Sequence, residues 1–341
     1  MNIPIKNKWS WDHIPRNRDL KLKISNRCNA PSRHLLIDLN GECFVCGCEA
    51  WLPISLGQIT DFNRLEDIWA HPVAQNLQAD IDAGTFDNCA VSRCGVQQRN
   101  LIDKEYTITI NIDQSCNLRC PSCRSDAIMI TSGDQYNSKL HNANHIVHLL
   151  ENFNEPCRVI MSGNGDVLAS SIMRPLVHNF VPKPNQWIKL FTNGLLLRKQ
   201  LTDNPVIDRI NEYLISIDAG SKEVYEKVRL GGNWDILLDN FKFLQQNAKP
   251  GAQIVITMVL QRDNYHDIKN FCQIVLEHGF VGCITKLEDW GSWGSKFVDH
   301  DILNPAHPEN AQALIELQST YTQYKDKIWF APGLLQELDV H

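Results

Sequence analysis

Nine of the twelve cysteines fall between Cys28 and Cys123, in three tight groups, and the last group constrains the chain most. It reads Asp-Gln-Ser-Cys-Asn-Leu-Arg-Cys-Pro-Ser-Cys-Arg, so three residues separate Cys116 from Cys120 and two separate Cys120 from Cys123. Three thiolates on one short loop can hold three irons of a cubane 4Fe–4S cluster and leave the fourth iron open to an external ligand. The alternatives are a structural zinc site and unligated packing cysteines. Zinc would want a fourth ligand and usually pairs two short cysteine hairpins. A disulfide scaffold does not fit, because such chains are short and carry a secretory signal, and MNIPIKNKWSWDHIPRNRD lacks the apolar core of one. The cytoplasm is therefore the expected compartment, where clustered cysteines point to metal ligation or catalysis.

The 341 residues allow one large domain or two ordinary ones, with 43% hydrophobic and 21% charged residues, as in an ordinary globular protein. A formal charge of -6 and the lack of a dense Lys/Arg run give no footprint for nucleic acid. No apolar run approaches the roughly 18–20 residues of a membrane span.

Along the chain, residues 1–27 read as a polar arm. His34–Leu39, Asn40-Gly41 and Glu42–Val45 read as a hairpin, because Asn-Gly supplies the two positive-φ positions of a type I′ turn. Short helices are expected over Arg64–Trp69 and Val73–Ala83, with Gly84 as a stop. Residues 28–100 thus form a small cysteine-rich unit. From Tyr106 strands alternate with helices: Tyr106–Ile112, Arg158–Met161, Trp187–Phe191, Tyr213–Ile217, Ile254–Leu260 and Gly282–Lys286, with helical stretches such as His145–Phe153 and Asp267–His278. Repeated βα units over 101–291 predict an α/β fold, a partial (β/α)6 barrel around a parallel sheet. Ligands gather at the C-terminal strand ends of such sheets. Residues 292–341 are expected to close the fold as loop and helix.

The segment Cys-Asn-Leu-Arg-Cys-Pro-Ser-Cys resembles the CxxxCxxC motif of the radical S-adenosylmethionine (SAM) superfamily. The resemblance implies that SAM chelates the fourth iron and is cleaved by one electron to a 5′-deoxyadenosyl radical, which abstracts hydrogen from an unactivated C–H bond. Ser122 stands where an aromatic residue near adenine is common, so adenine must be held by other residues. Ser162-Gly163-Asn164-Gly165-Asp166 resembles the family's Gly-Gly-Glu segment. Its glycines permit close backbone approach, and its carboxylate can accept from a ligand ammonium group. Thr192, Asn193 and Gly194, then Ser216 and Asp218, then Gln261 and Asn264 follow the next three strands. The resemblance assigns such polar residues to ribose and the methionine carboxylate; individually they also suit turns and helix caps.

The hairpin brings Cys28 and Cys46 toward one end of the cysteine-rich unit, and Cys89 and Cys94 can close the site. This unit, with Leu56-Gly57-Gln58-Ile59 running into a helix that holds Asp67-Ile68-Trp69, resembles the SPASM/twitch auxiliary domain of radical SAM enzymes. The resemblance implies a second 4Fe–4S cluster on Cys28, Cys46, Cys89 and Cys94. Cys48 is the main substitute, Cys43 a lesser one, and structural zinc the alternative. Here the unit precedes the core, and four residues separate the final pair rather than two.

These features imply an enzyme acting on a peptide or carbohydrate, with the auxiliary cluster oxidising a substrate radical, organising substrate or relaying electrons. Flavodoxin or ferredoxin is the expected reductant. Cys283 is a candidate hydrogen-atom donor for epimerisation, with a buried packing thiol as its plainer role. Glu288, Asp289, Trp290 and Trp293 are candidates for the substrate mouth. Cys157 and Cys272 read as packing residues. A non-catalytic metal-binding module, or an enzyme using SAM only as cofactor or methyl source, remains the alternative class.

Overall fold

The computed structural model describes residues 14–48, 50–124, 126–289 and 293–338. The strands are β1 (His34–Ile37), β2 (Cys43–Phe44), β3 (Tyr106–Ile110), β4 (Cys157–Met161), β5 (Gln186–Thr192), β6 (Ile210–Ser216), β7 (Gln253–Leu260), β8 (Val281–Lys286) and β9 (Ile328–Phe330). All the strands expected in the core form, and their pairing is mostly parallel, as an α/β fold with a partial barrel requires. The chain divides into two compact units. The first holds the described residues up to Ile112 with Gly133–Ile160 and Pro182–Trp187; the second holds Asp113–Ser132, Met161–Val181 and the described residues from Ile188 onward.

In the first unit β1 pairs antiparallel with β2 and parallel with β3, from His34 opposite Thr107 to Ile37 opposite Ile110. The hairpin turn differs from the type I′ expectation, because only Gly41, at φ 80°, has a positive φ there. Gly41 N donates to Asp38 O at 3.0 Å, which makes residues 38–41 a turn that ends on a left-handed glycine. The cause is Asp38. Its Oδ1 accepts from the backbone N–H of Asn40 and of Glu42, each at 2.8 Å, and so folds the loop around its own side chain.

The helix Pro72–Asp82 starts on His71, whose Nδ1 accepts from Val73 N at 3.3 Å, and buries Ala74, Leu77 and Ile81. Gly84 follows it at φ 78°, the stop expected there. Trp69 of the preceding helix, Leu65–Ala70, donates its Nε1 to His34 O at 3.0 Å. Its ring lies 4.4 Å from that of Tyr106 and 5.6 Å from that of Phe153, an aromatic cluster that ties this helix to β3. The helix Asp134–Asn152 extends well before the expected His145, and its buried Lys139 donates to the carbonyls of Leu39 and Ile112.

In the second unit β5 to β9 follow in sequence order. Residues 292–341, expected as loop and helix, contain the helix Asn310–Tyr324 and also β9, which pairs parallel with β8. Side chains alternate between the two sheet faces. Ile215 and Leu237 of the helix Trp234–Asn247 share the space above Gly194, so Ile215 lies on the helix-covered face. Glu212, Leu214 and Ser216 therefore point to the other face, where Lys189 Nζ pairs with Glu212 Oε1 at 2.6 Å.

Replacing Asp38 with Ala leaves two backbone N–H groups of a partly buried loop without their acceptor. The expected cost is about 1–3 kcal/mol, read as a lower midpoint in thermal denaturation. An unchanged midpoint would show that the loop does not depend on this carboxylate.

Candidate metal centres

Cys116, Cys120 and Cys123 lie on the loop that follows β3, with Cys116 and Cys120 buried and Cys123 exposed. A different donor reaches each sulfur. Leu118 N donates to Cys116 Sγ at 3.4 Å, and Asn193 Nδ2 approaches the same sulfur at 3.9 Å. Arg229 Nη1 lies 3.8 Å from Cys120 Sγ, and Arg124 Nη2 lies 3.4 Å from Cys123 Sγ. Burial pushes the Cys116 thiol up to about 11, against the Leu118 N–H, which favours the thiolate. Cys120 is pushed up by burial and drawn down by the Arg229 guanidinium. Cys120 is also near enough to Cys116 and to Cys123 for their charges to interact. Sulfurs that meet N–H donors on a short loop are what a thiolate-held cluster needs, since hydrogen bonds to sulfur stabilise its negative charge.

Arg124 also binds the loop to its surroundings. Nη1 donates to Gln114 O at 2.7 Å, and Nη2 donates to Asn164 O. Gly163 and Gly165 lie in the turn after β4, and this turn packs against the cysteine loop. A methyl group at Gly165 would overlap Ser115 O, and one at Gly163 would stand 3.0 Å from Asp113 O. Glycine is therefore required at Gly165 by contact with backbone rather than by φ.

Asp166 is fully enclosed, and its carboxylate is already saturated. Oδ1 accepts from Leu168 N and Ala169 N, both at 3.0 Å. Oδ2 accepts from Thr192 Oγ1 at 2.8 Å and Asn193 N at 2.7 Å. Burial pushes its carboxyl up and these donors draw it back down. With about four acceptor positions in use, Asp166 orders Thr192 and Asn193 rather than presenting a vacant carboxylate. Asn193 in turn donates to Asn117 Oδ1 at 2.8 Å, beside its approach to Cys116.

Asp218 lies beyond β6 in a left-handed conformation, φ 57°. Its Oδ1 accepts from Val259 N at 2.8 Å, and its Oδ2 pairs with Arg229 Nη2 at 2.7 Å. Asn264 donates to Asp218 O and Val259 O, both at 2.9 Å, and accepts from Gln261 N at 2.8 Å. Ser216 Oγ accepts from Thr257 Oγ1 at 3.1 Å. Among the described residues, Arg229 Nε, Gln261 Nε2 and Tyr225 OH are buried donors without a partner. Orphaned buried donors beside a thiol loop suit a ligand rich in acceptors, as the carboxylate and ribose of SAM would be.

Arg229 and Arg124 escape sequence reasoning. Arg124 has one visible signal, its place directly after the third cysteine. Arg229 follows the helix Lys222–Val228 with no motif of its own, and only the fold brings it to Cys120.

In the first unit Cys28, Cys46, Cys89 and Cys94 converge. Cys28 and Cys94 raise the thiol of Cys46, and Cys46, Cys28 and Cys94 together raise that of Cys89. Burial is the largest cause throughout, taking Cys28 to about 11 and Cys46 to about 12. One of these sulfurs repeats the local geometry seen at Cys116, accepting the backbone N–H two residues on. Cys28 accepts from Ala30 N at 3.4 Å, and burial pushes the Cys46 and Cys94 thiols up against the opposing backbone N–H groups of Cys48 and Val96. Cys28, Cys89 and Cys94 sit in an apolar cluster with Ile81, Phe86, Val91 and Val96. Cys48 interacts with Cys46 and packs instead with Ile14, Ala50 and Ala90. Cys43 lies buried in β2 beside Asp38. Among the described residues no three His, Cys, Asp or Glu side chains are already closed to metal-ligating geometry, so both thiol groups are gathered but open. Buried thiols protonated at neutral pH have no charge to share, and metal ions would both deprotonate them and draw them together.

Cys283 is not part of either group. It is the third residue of β8, opposite Thr257, and its charged neighbour is Lys189. Glu288 and Asp289 are exposed beyond β8, and Trp293 stacks on His300 at 4.0 Å. Trp290 lies outside the described residues. Cys157 and Cys272 are buried, in β4 and in the helix Ile268–Glu277.

Residues 110–275 match the Radical SAM superfamily, and residues 28–95 match SPASM, an iron–sulfur cluster-binding domain. A probable GTP 3′,8-cyclase of Methanococcus maripaludis is 28% identical over 127 residues, 36% of this chain and 40% of that protein. The mycofactocin maturase MftC of Mycolicibacterium smegmatis is 22% identical over 211 residues, 62% of this chain and 50% of that protein. The chain thus spans about half the length of the curated relatives it matches. The crystal structure of Streptococcus suis SuiB bound to precursor peptide SuiA aligns with a TM-score of 0.46 at 10% identity. That alignment covers 78% of this chain and 62% of that one.

Replacing Arg229 with Met strands the Asp218 carboxylate in the interior. The expected loss is about 3–5 kcal/mol in denaturant unfolding of the metal-free protein, with a large part regained on adding Asp218→Asn. Equal stability of wild type and the single variant would show that the pair is not a buried anchor.

Proposed function

Because this chain belongs to the radical SAM superfamily and carries an iron–sulfur domain of the SPASM type ahead of its core, we propose that it abstracts a hydrogen atom from a peptide or carbohydrate. In this reading Cys116, Cys120 and Cys123 hold the SAM-binding 4Fe–4S cluster, and Cys28, Cys46, Cys89 and Cys94 hold the auxiliary one. When bound, the first cluster would supply the electron that cleaves SAM to a 5′-deoxyadenosyl radical.

The observation that carries the ligand assignment is the gathering of Cys28, Cys89 and Cys94 in one cluster with Cys46 near them, and the N–H···S contact that Cys28 shares with Cys116. A backbone amide aimed at a sulfur stabilises the thiolate form that binds metal. The chain's own residues then have distinct tasks. Asn193, Arg229 and Arg124 offset the negative charge of the three sulfurs of the first loop. Gly163 and Gly165 allow the backbone to close against that loop, and Asp166 holds Thr192 and Asn193 in place. Arg229 Nε, Gln261 Nε2 and Tyr225 OH offer donors to SAM, with Ser216 and Asp218 framing the same strand ends. Cys28, Cys46, Cys89 and Cys94 would hold the group that accepts or relays an electron, and a small electron-transfer protein such as flavodoxin or ferredoxin would supply the first one.

Anaerobic reconstitution should give about eight irons and eight sulfides per chain, and reduction with SAM should release 5′-deoxyadenosine. The Cys116→Ala, Cys120→Ala, Cys123→Ala protein should retain about four irons and release none of that nucleoside. Zinc in place of iron, or a fully loaded protein that leaves SAM intact, overturns the reading.

One placement supports a second outcome, epimerisation. Thr257 and Ser216 share a sheet face through their hydroxyl contact, and Cys283 is the register partner of Thr257 on β8. Its half-buried thiol thus lies on the face away from the helix Trp234–Asn247. There it could give a hydrogen atom to a substrate radical, forming a C–H bond and leaving a sulfur radical. An electron from the auxiliary cluster and a proton from water would restore the thiol. Cys283→Ala should then still release 5′-deoxyadenosine while configurational turnover stops; turnover at the wild-type rate excludes Cys283 as donor.

A further inference from the structure

The arm that precedes the cysteine-rich unit packs onto the segment that carries Cys89. Asn17 N donates to Cys89 O at 2.9 Å, and Arg18 N donates to Asp87 O at 3.2 Å. Asn17, itself buried, fixes the return of the arm: its Nδ2 donates to Thr85 O at 2.6 Å and Leu22 O at 3.1 Å, and its Oδ1 accepts from Leu22 N at 3.0 Å. Ile14 packs with Ala50 and Ala90, and Cys48 packs against them. Arg16, only 7% exposed, reaches inward, with Nη1 donating to Ala50 O at 2.8 Å and to Trp51 O at 3.3 Å. Trp51 O also accepts from Ala90 N at 2.9 Å, so the guanidinium shares an acceptor with the residue next to Cys89. Arg16 thus holds its charge beside the segment that bears Cys89, with Asn17 N bonded to the carbonyl of Cys89 itself.

Resting on the auxiliary-cluster reading, we infer that the segment 14–22 is a strap over that site, and that Arg16 is a positioning residue that sets the cluster's reduction potential. Reduction adds an electron to a cluster already carrying four thiolates. A permanent positive charge held beside it, screened from water by the strap, favours the reduced form and raises the potential. Arginine suits the task because it stays protonated when buried, and its planar fork can hold backbone carbonyls while facing a sulfur.

The test uses the full chain with Cys116, Cys120 and Cys123 replaced by Ala, so that only the auxiliary cluster contributes to an EPR-monitored redox titration. With Arg16 intact this protein should hold about four irons. Arg16→Gln should hold the same iron while its midpoint moves to lower potential, and Arg16→Lys should restore part of the shift. A fully loaded Arg16→Gln protein with an unmoved midpoint overturns the inference. So does loss of iron from both variants, which would make Arg16 a packing residue only. If the protein with Arg16 intact binds no iron, the auxiliary reading fails and the inference falls with it, an outcome distinct from an unmoved midpoint.

Discussion

The second unit depends on one enclosed carboxylate. Asp166 accepts four hydrogen bonds, from Leu168, Ala169, Thr192 and Asn193, while its own N–H donates to Ser115 O at 2.8 Å. Three chain segments that are distant in sequence meet there: the cysteine loop, the turn after β4 and the end of β5. A carboxylate in an apolar interior is tolerable only when its lone pairs are satisfied, so the cost of burial becomes a demand on geometry. Asn193 can point its amide at Cys116 because its backbone is already committed to Asp166. Gly165 belongs to the same constraint, since only a residue without a side chain lets the turn reach Ser115.

A second buried pair, Asp218 with Arg229, organises the opposite side of the cysteine loop. Here one ion pair links the end of β6 to a sulfur, because the same guanidinium that pairs with Asp218 approaches Cys120. Cys116 is thus served by an amide and Cys120 by a cation. The two are positioned by separate networks, one anchored on Asp166 and one on Asp218. Both carboxylates lie in segments that follow strands, where the sheet stops supplying backbone partners and side chains must take over.

Much of this was legible in the chain itself. The strands announced themselves through β-branched runs between helical stretches, and the cysteine loop through its spacing. The glycines of the turn after β4 were legible as a need for close approach. What the sequence could not carry was the use of each polar group. Asp166 was expected to present its carboxylate to a ligand, but sequence cannot count how many N–H groups will reach it. Arg229 was invisible because its importance is a meeting between positions 109 apart, 120 and 229. The hairpin turn shows the local version of the same limit. Asn40-Gly41 was read by propensity, whereas Asp38, two residues earlier, decides the conformation by offering a stronger set of hydrogen bonds. The strand β9 escaped for another reason: three residues are too few for a period to show.

The spread of the two cysteine groups has a consequence for folding. Cys116, Cys120 and Cys123 occupy one loop, so joining them constrains little chain. Cys28 and Cys94 lie at opposite ends of a segment that includes β1, β2 and the helices Leu65–Ala70 and Pro72–Asp82. A cluster bound to both would act as a cross-link across that whole segment, removing far more freedom from the unfolded chain. The auxiliary thiols would then serve as much to knot the first unit into a stable body as to handle electrons. In that case iron supply would also bear on how long the polypeptide survives.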